Sequence, residues 1–113
     1  MSKITSHVLD ASRGKPAQGV PILLERNKDG KWVEVSRATT NADGRVPDLW
    51  AEGMKLETAI YRLTFDTQKY FQSIGTQGFY PEVPIVFEIH DAAQHYHVPL
   101  LISPFSYSTY RGS

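Results

Sequence analysis

HYHVPLLISPFSYSTYRGS, residues 95–113, packs more reactive side chains into a strand-like alternation than any other stretch of this 113-residue chain. Over residues 95–102, His95, His97, Pro99 and Leu101 project to one side of an extended strand. Tyr96, Val98, Leu100 and Ile102 project to the other side and read as core. The first set places two imidazoles beside Pro99 and Leu101, a face too apolar to be left open to water, so the pattern predicts that something covers it. Pro104 interrupts the run. A second extended segment follows, in which Ser106, Ser108 and Tyr110 alternate with Tyr107, Thr109 and Arg111.

Outward from this tail, the same period of two recurs along the chain. Residues 84–91 read as a strand with Ile85, Phe87 and Ile89 inward, preceded by an exposed corner at Phe79, Tyr80 and Pro81. Residues 59–65 place Tyr61, Leu63 and Phe65 on one face and predict a central strand. Between them Asp66 can cap a short helix over 67–74, with Tyr70, Phe71 and Ile74 on one side and Gly75 as its stop, the only helix expected. Residues 20–27 and 32–38 form a hairpin about Lys28, Asp29, Gly30 and Lys31, with Val33 and Val35 inward and Pro21 at an edge or a strand start. Residues 4–10 form the first strand, with Thr5, His7 and Leu9 on one face and Ser6, Val8 and Asp10 on the other; sequence alone leaves open which face is buried. Residues 11–19 are rich in turn formers, residues 39–48 form a polar turn in which Asp43 and Gly44 reverse the chain to present Arg45 at the start of a short strand, and residues 49–58 are weakly patterned. About seven or eight short strands with regular turn signals predict an all-β antiparallel sandwich, since a parallel sheet needs repeated crossover helices.

Composition narrows the function. The length suits a single domain over residues 1–113. Twelve basic and twelve acidic residues cancel, so there is no electrostatic footprint for nucleic acid or an anionic membrane. Cysteine is absent, which removes disulfides, thiolate metal sites and a Cys nucleophile. MSKITSHVLD at the start lacks an apolar run of signal-peptide length, and no segment approaches a transmembrane span, which makes the cytoplasm the expected location.

The chemistry-bearing residues each admit an ordinary structural reading. A single His on a strand is commonly a surface residue, and an Arg after a turn is commonly a solvated charge. His97 differs, because a covered imidazole beside Pro99 and Leu101 needs a partner, which His95 or Tyr110 can supply. His95 and His97 also have a metal-ligand spacing, but a third ligand must come from His7, His90, Asp or Glu, none of which completes a motif. Nucleophilic attack by Ser108 or Ser113 would need a base held by a third group, and the tail offers no side-chain carboxylate for that purpose.

HVLD at residues 7–10, Arg45 after Asp43 and Gly44, and YRGS at residues 110–113 together resemble the 5-hydroxyisourate hydrolases, the enzyme branch of the transthyretin-like proteins. The resemblance runs end to end. It implies a transthyretin-like β-sandwich of two four-stranded sheets with one short helix. It places a catalytic His–Arg–His set on His7, Arg45 and His97, with His7 and Leu9 facing a channel and Val8 turned into the sandwich. It assigns substrate contacts to Ser108, Tyr110, Arg111, Gly112 and Ser113. It implies hydrolysis of 5-hydroxyisourate without cofactor or metal, in a homotetramer built as a dimer of dimers with sites at the dimer–dimer interface. A ligand carrier using the same channel and a metal-dependent hydrolase are the competing readings.

Overall fold

The alternation of apolar residues produces two sheets that bury their inner faces against one another. The structure, a computed structural model, describes residues 3–113. Met1 and Ser2, part of the segment read as free of a leader, lie outside the described residues. The first sheet contains β1 (Ile4–Asp10), β2 (Lys15–Pro16), β7 (Tyr96–Ser103) and β8 (Ser106–Thr109), in the order β2-β1-β7-β8. The second contains β3 (Pro21–Lys28), β4 (Lys31–Thr39), β5 (Ala59–Phe65) and β6 (Val83–Ile89), in the order β4-β3-β5-β6. Among the described residues the single α-helix is α1 (Thr67–Ser73), and no helix is long and apolar enough to cross a membrane.

The core is the meeting of the two inner faces. Ile4, Val8, Val98, Leu100 and Ile102 come from the first sheet, and Ile22, Leu24, Tyr61, Leu63 and Phe65 from the second. Each such aliphatic side chain contributes roughly 1.5–3 kcal/mol by leaving water. Val8 is inward and His7 outward, which settles the face that sequence alone left open. Pro21 starts β3, where its missing N–H costs least, and β5 is central, hydrogen-bonded to β3 and β6. Asp66 caps α1 by accepting from Lys69 N at 3.1 Å, and Gly75 follows its end at φ +67°.

Five features depart from the sequence-based expectations. The sandwich is antiparallel in every ladder except one: β1 and β7 run parallel, in register from Ile4 opposite Tyr96 to Asp10 opposite Ile102. No crossover helix is needed, because the chain passes through the whole second sheet between them. Val33 does not turn inward, being 44% exposed. The register of β3 against β4 shifts between Leu24 and Glu25, leaving Val35 as the extra residue and putting Val33 opposite Arg26 at the open end of the sheet. The turn-rich segment 11–19 contains β2, and the strand expected after Gly44 is a single bridge between His7 and Arg45. The weakly patterned segment 49–58 is a loop that nonetheless buries Leu49, Trp50 and Leu56, with Trp50 edge-on to Tyr61.

Candidate active site

The outer face of the first sheet gathers the polar residues that alternation had left over. The parallel register puts Thr5 opposite His97, His7 opposite Pro99 and Leu9 opposite Leu101. His7 and His97 are therefore diagonal neighbours on adjacent strands, on a face that also carries Thr5, Leu9, Pro99 and Leu101.

Arg45 reaches this face through a close backbone approach. β2 pairs only with Leu9 and Asp10, so the edge of β1 beside His7 is taken by the 41–45 turn. Val8 N donates to Gly44 O at 2.8 Å, and Asn41 Oδ1 accepts from Asp43 N at 2.9 Å and Arg45 N at 3.1 Å. Gly44 sits at φ +75°, and a Cβ there would overlap the Val8 carbonyl oxygen. Glycine is what allows the turn to lie against β1. The same turn orients His7: its Nε2 lies 2.9 Å from the Asp43 carbonyl, an acceptor only, so Nε2 carries the proton and donates.

The tail closes the other side of His97. Gly112 bridges His97, its N–H donating to His97 O at 2.8 Å, and a Cβ on Gly112 would lie 2.5 Å from His97 Cδ2. The ring is thus flanked by Gly112 at Cδ2 and by Thr5 at Nδ1, where Thr5 Oγ1 lies 2.8 Å away. Burial lowers the His97 pKa from the usual imidazole value, and electrostatic opposition from the Arg45 guanidinium, then from the neighbouring His95 and His7 rings, lowers it further. His97 is therefore neutral near pH 7, with a bare nitrogen to accept a proton.

The structure thus draws His7, Arg45, His97 and Gly112 together. Ser108 lies on the same face but farther along, opposite Leu101. Tyr110 is 59% exposed, and Ser113 follows Gly112 at the surface. Arg111 turns from the imidazoles: its guanidinium stacks 4.6 Å over the Tyr96 ring and donates to Gln94 Oε1 at 2.7 Å. It anchors the tail. No group of three or more His, Asp or Glu side chains able to hold a metal ion occurs among the described residues. Sequence reading passed over Thr5, whose hydroxyl lies 3.0 Å from His95 Nε2 as well as 2.8 Å from His97 Nδ1. Alternation placed Thr5 on the His7 face, but only the parallel register brings it to His97.

A family model described as HIUase/Transthyretin family matches residues 4–112. The 5-hydroxyisourate hydrolase of Salmonella dublin is 44% identical over 110 residues, covering 97% of this chain and 80% of that protein. Among solved structures, the 5-hydroxyisourate hydrolase of Klebsiella pneumoniae superposes with a TM-score of 0.84 at 37% identity, over 100% of this chain and 94% of that one. Sea bream transthyretin in complex with thyroxine superposes with a TM-score of 0.91 at 32% identity, over 97% and 94%.

Proposed function

The chain belongs to the HIUase/transthyretin family, and from that premise we propose that it hydrolyses 5-hydroxyisourate to 2-oxo-4-hydroxy-4-carboxy-5-ureidoimidazoline, a step of urate breakdown. The observation that carries this reading is the convergence of His7, Arg45 and a neutral His97 on one outer face. Such a lining suits a polar heterocycle whose ring must be opened and suits an apolar cargo poorly.

In the proposed mechanism, Nε2 of His97 takes a proton from water as the water oxygen attacks the ring carbonyl. The depressed pKa of His97 keeps this base unprotonated at neutral pH. The carbonyl oxygen becomes an oxyanion, which the Arg45 guanidinium stabilises with a fixed charge. As the ring C–N bond breaks, the leaving nitrogen takes a proton from His7. In this step His7 acts as the imidazolium: Nδ1 gives its proton to the leaving nitrogen, and the ring is left neutral with its remaining proton on Nε2, donating to Asp43 O. The hydroxyl groups of Ser108, Tyr110 and Ser113 bind the polar ring, Gly112 lets the tail lie close beside His97 with its N–H held by His97 O, and Arg111 places the tail through Tyr96 and Gln94.

A homotetramer, formed as a dimer of dimers, is part of the proposal. Leu9, Pro99 and Leu101 surround the imidazoles on an outer sheet face, and a second copy laid across it would exclude water and strengthen every charge interaction there. Freshly prepared 5-hydroxyisourate, followed by its absorbance, tests the activity: the protein should accelerate its decay well above the spontaneous rate. A spontaneous rate left unchanged by the protein, together with saturable binding of an apolar ligand, would instead favour a carrier like the sea bream protein.

A further inference from the structure

The Thr5 hydroxyl touches two imidazoles, and neither it nor His95 has a part in the mechanism above. Its oxygen lies 2.8 Å from Nδ1 of His97 and 3.0 Å from Nε2 of His95, and the two rings stack at an interplanar angle of 16°. A hydroxyl has one proton to give and two lone pairs, so between two neutral imidazoles it donates to at most one ring and accepts from at least one. The direction of that chain decides which nitrogen of His97 is bare. If the hydroxyl donates to His97, the proton of His97 sits on Nε2, which is then a donor. If it accepts from His97, Nε2 keeps its lone pair.

We propose that Thr5 is a positioning residue whose hydroxyl accepts from Nδ1–H of His97 and donates to Nε2 of His95, fixing His97 as the tautomer with a bare Nε2. The inference rests on the hydrolase reading for its purpose. The hydroxyl bridge itself stands on geometry alone. Gly112 lies close beside Cδ2 and limits tilting of the ring away from Thr5, so the ring is held in the orientation that the bridge requires.

The bridge also supplies an exit for charge. When His97 gains a proton at Nε2, its Nδ1–H bond breaks as an O–H bond forms at Thr5, and the original Thr5 O–H bond breaks as an N–H bond forms at Nε2 of His95. One proton enters at His97, one leaves to His95, and His97 is neutral again with its proton on Nε2. The groups facing His97 are His7 on β1, Arg45 on the 41–45 turn and His95 on its own segment. In the parallel register His95 lies beyond the Thr5 end of the pair, on the side away from His7 and Arg45, so the bridge moves positive charge off the site where burial and Arg45 oppose it.

The experiment is the imidazole 15N spectrum of the intact protein at neutral pH without substrate, paired with steady-state hydrolysis of 5-hydroxyisourate. In the wild type, His97 should show a protonated Nδ1 and a bare Nε2. Thr5→Val keeps the shape and removes the hydroxyl. It should give mixed His97 tautomers, lower kcat roughly tenfold or more with little change in KM, and Thr5→Ser should restore both readouts. A wild-type spectrum with Nε2 protonated overturns the proposal, as does Thr5→Val with an unchanged spectrum and unchanged kcat. The spectrum needs no turnover. A correct tautomer in a protein that does not accelerate 5-hydroxyisourate decay would refute the assigned reaction and leave the hydroxyl bridge standing.

Discussion

Gly44→Ala probes how Arg45 comes to lie beside His7. Gly44 sits at φ +75°, and its absent Cβ would fall on the Val8 carbonyl oxygen, 3.2 Å from Pro16 Cβ and 3.3 Å from His7 Cδ2. That carbonyl cannot yield easily, because it accepts from Ala17 N at 3.0 Å while Val8 N donates to Gly44 O at 2.8 Å. The left-handed backbone alone costs alanine about 1–2 kcal/mol. Pushing the turn off β1 leaves the Val8 N–H without its partner, a further loss of about 1–3 kcal/mol. Gly14→Ala is the control: at φ +67° with nothing within 4 Å of its Cβ, it carries only the backbone cost. With a urea slope of about 1–3 kcal/mol per molar, the two variants should differ in unfolding midpoint by roughly 1 M, Gly44→Ala being the weaker. The displaced guanidinium should also lower 5-hydroxyisourate turnover by about tenfold or more relative to Gly14→Ala, since small misplacements of a charge-stabilising group are costly. If Gly44→Ala proved as stable and as active as Gly14→Ala, the close approach would not be what positions Arg45.

Other expectations follow from individual groups. Burial opposes ionisation of Asp10, but hydrogen bonds from Ser12, Tyr70 and the Arg13 backbone outweigh it, so its folded pKa lies below the usual carboxylate value. The stability it contributes is complete above the unfolded pKa and is lost as pH falls through the folded one; Asp10→Asn should flatten the acid end of a urea-midpoint profile, and an unaltered profile would contradict this. For catalysis, the acid limb of kcat/KM should fall below the ordinary imidazole value because His97 is depressed by burial and then by Arg45. Arg45→Met should shift that limb upward while leaving the burial part in place, and a limb that does not move would count against their coupling. Exhaustive dialysis against a chelator should leave hydrolysis unchanged; loss of activity restored by a divalent ion would return the metal-dependent reading.

Most of the fold was legible because period-two alternation reports burial directly. Tyr96, Val98, Leu100 and Ile102 are inward as their pattern requires, and Asp66 and Gly75 mark the ends of α1 through local hydrogen bonding and backbone freedom. Long-range register was not legible. Nothing local to residues 4–10 or 96–103 encodes that the two strands run parallel, and the bulge that exposes Val33 depends on how β3 meets β4. Leu49, Trp50 and Leu56 escaped notice because an irregular loop has no period. At the site, His7, Arg45 and His97 came from a family resemblance, with the alternation adding only that His97 lies on a face needing cover. Thr5 carried no motif, since a threonine in a strand is ordinary until its cross-strand partner is known.

The most direct measurement of the central claim is the turnover of freshly made 5-hydroxyisourate by His97→Ala, with folding and oligomeric state verified against the wild type. Loss of a positioned base predicts a fall in kcat of about a hundredfold or more. A folded variant that turned over substrate at the wild-type rate would contradict the assignment of His97 as the group that activates water.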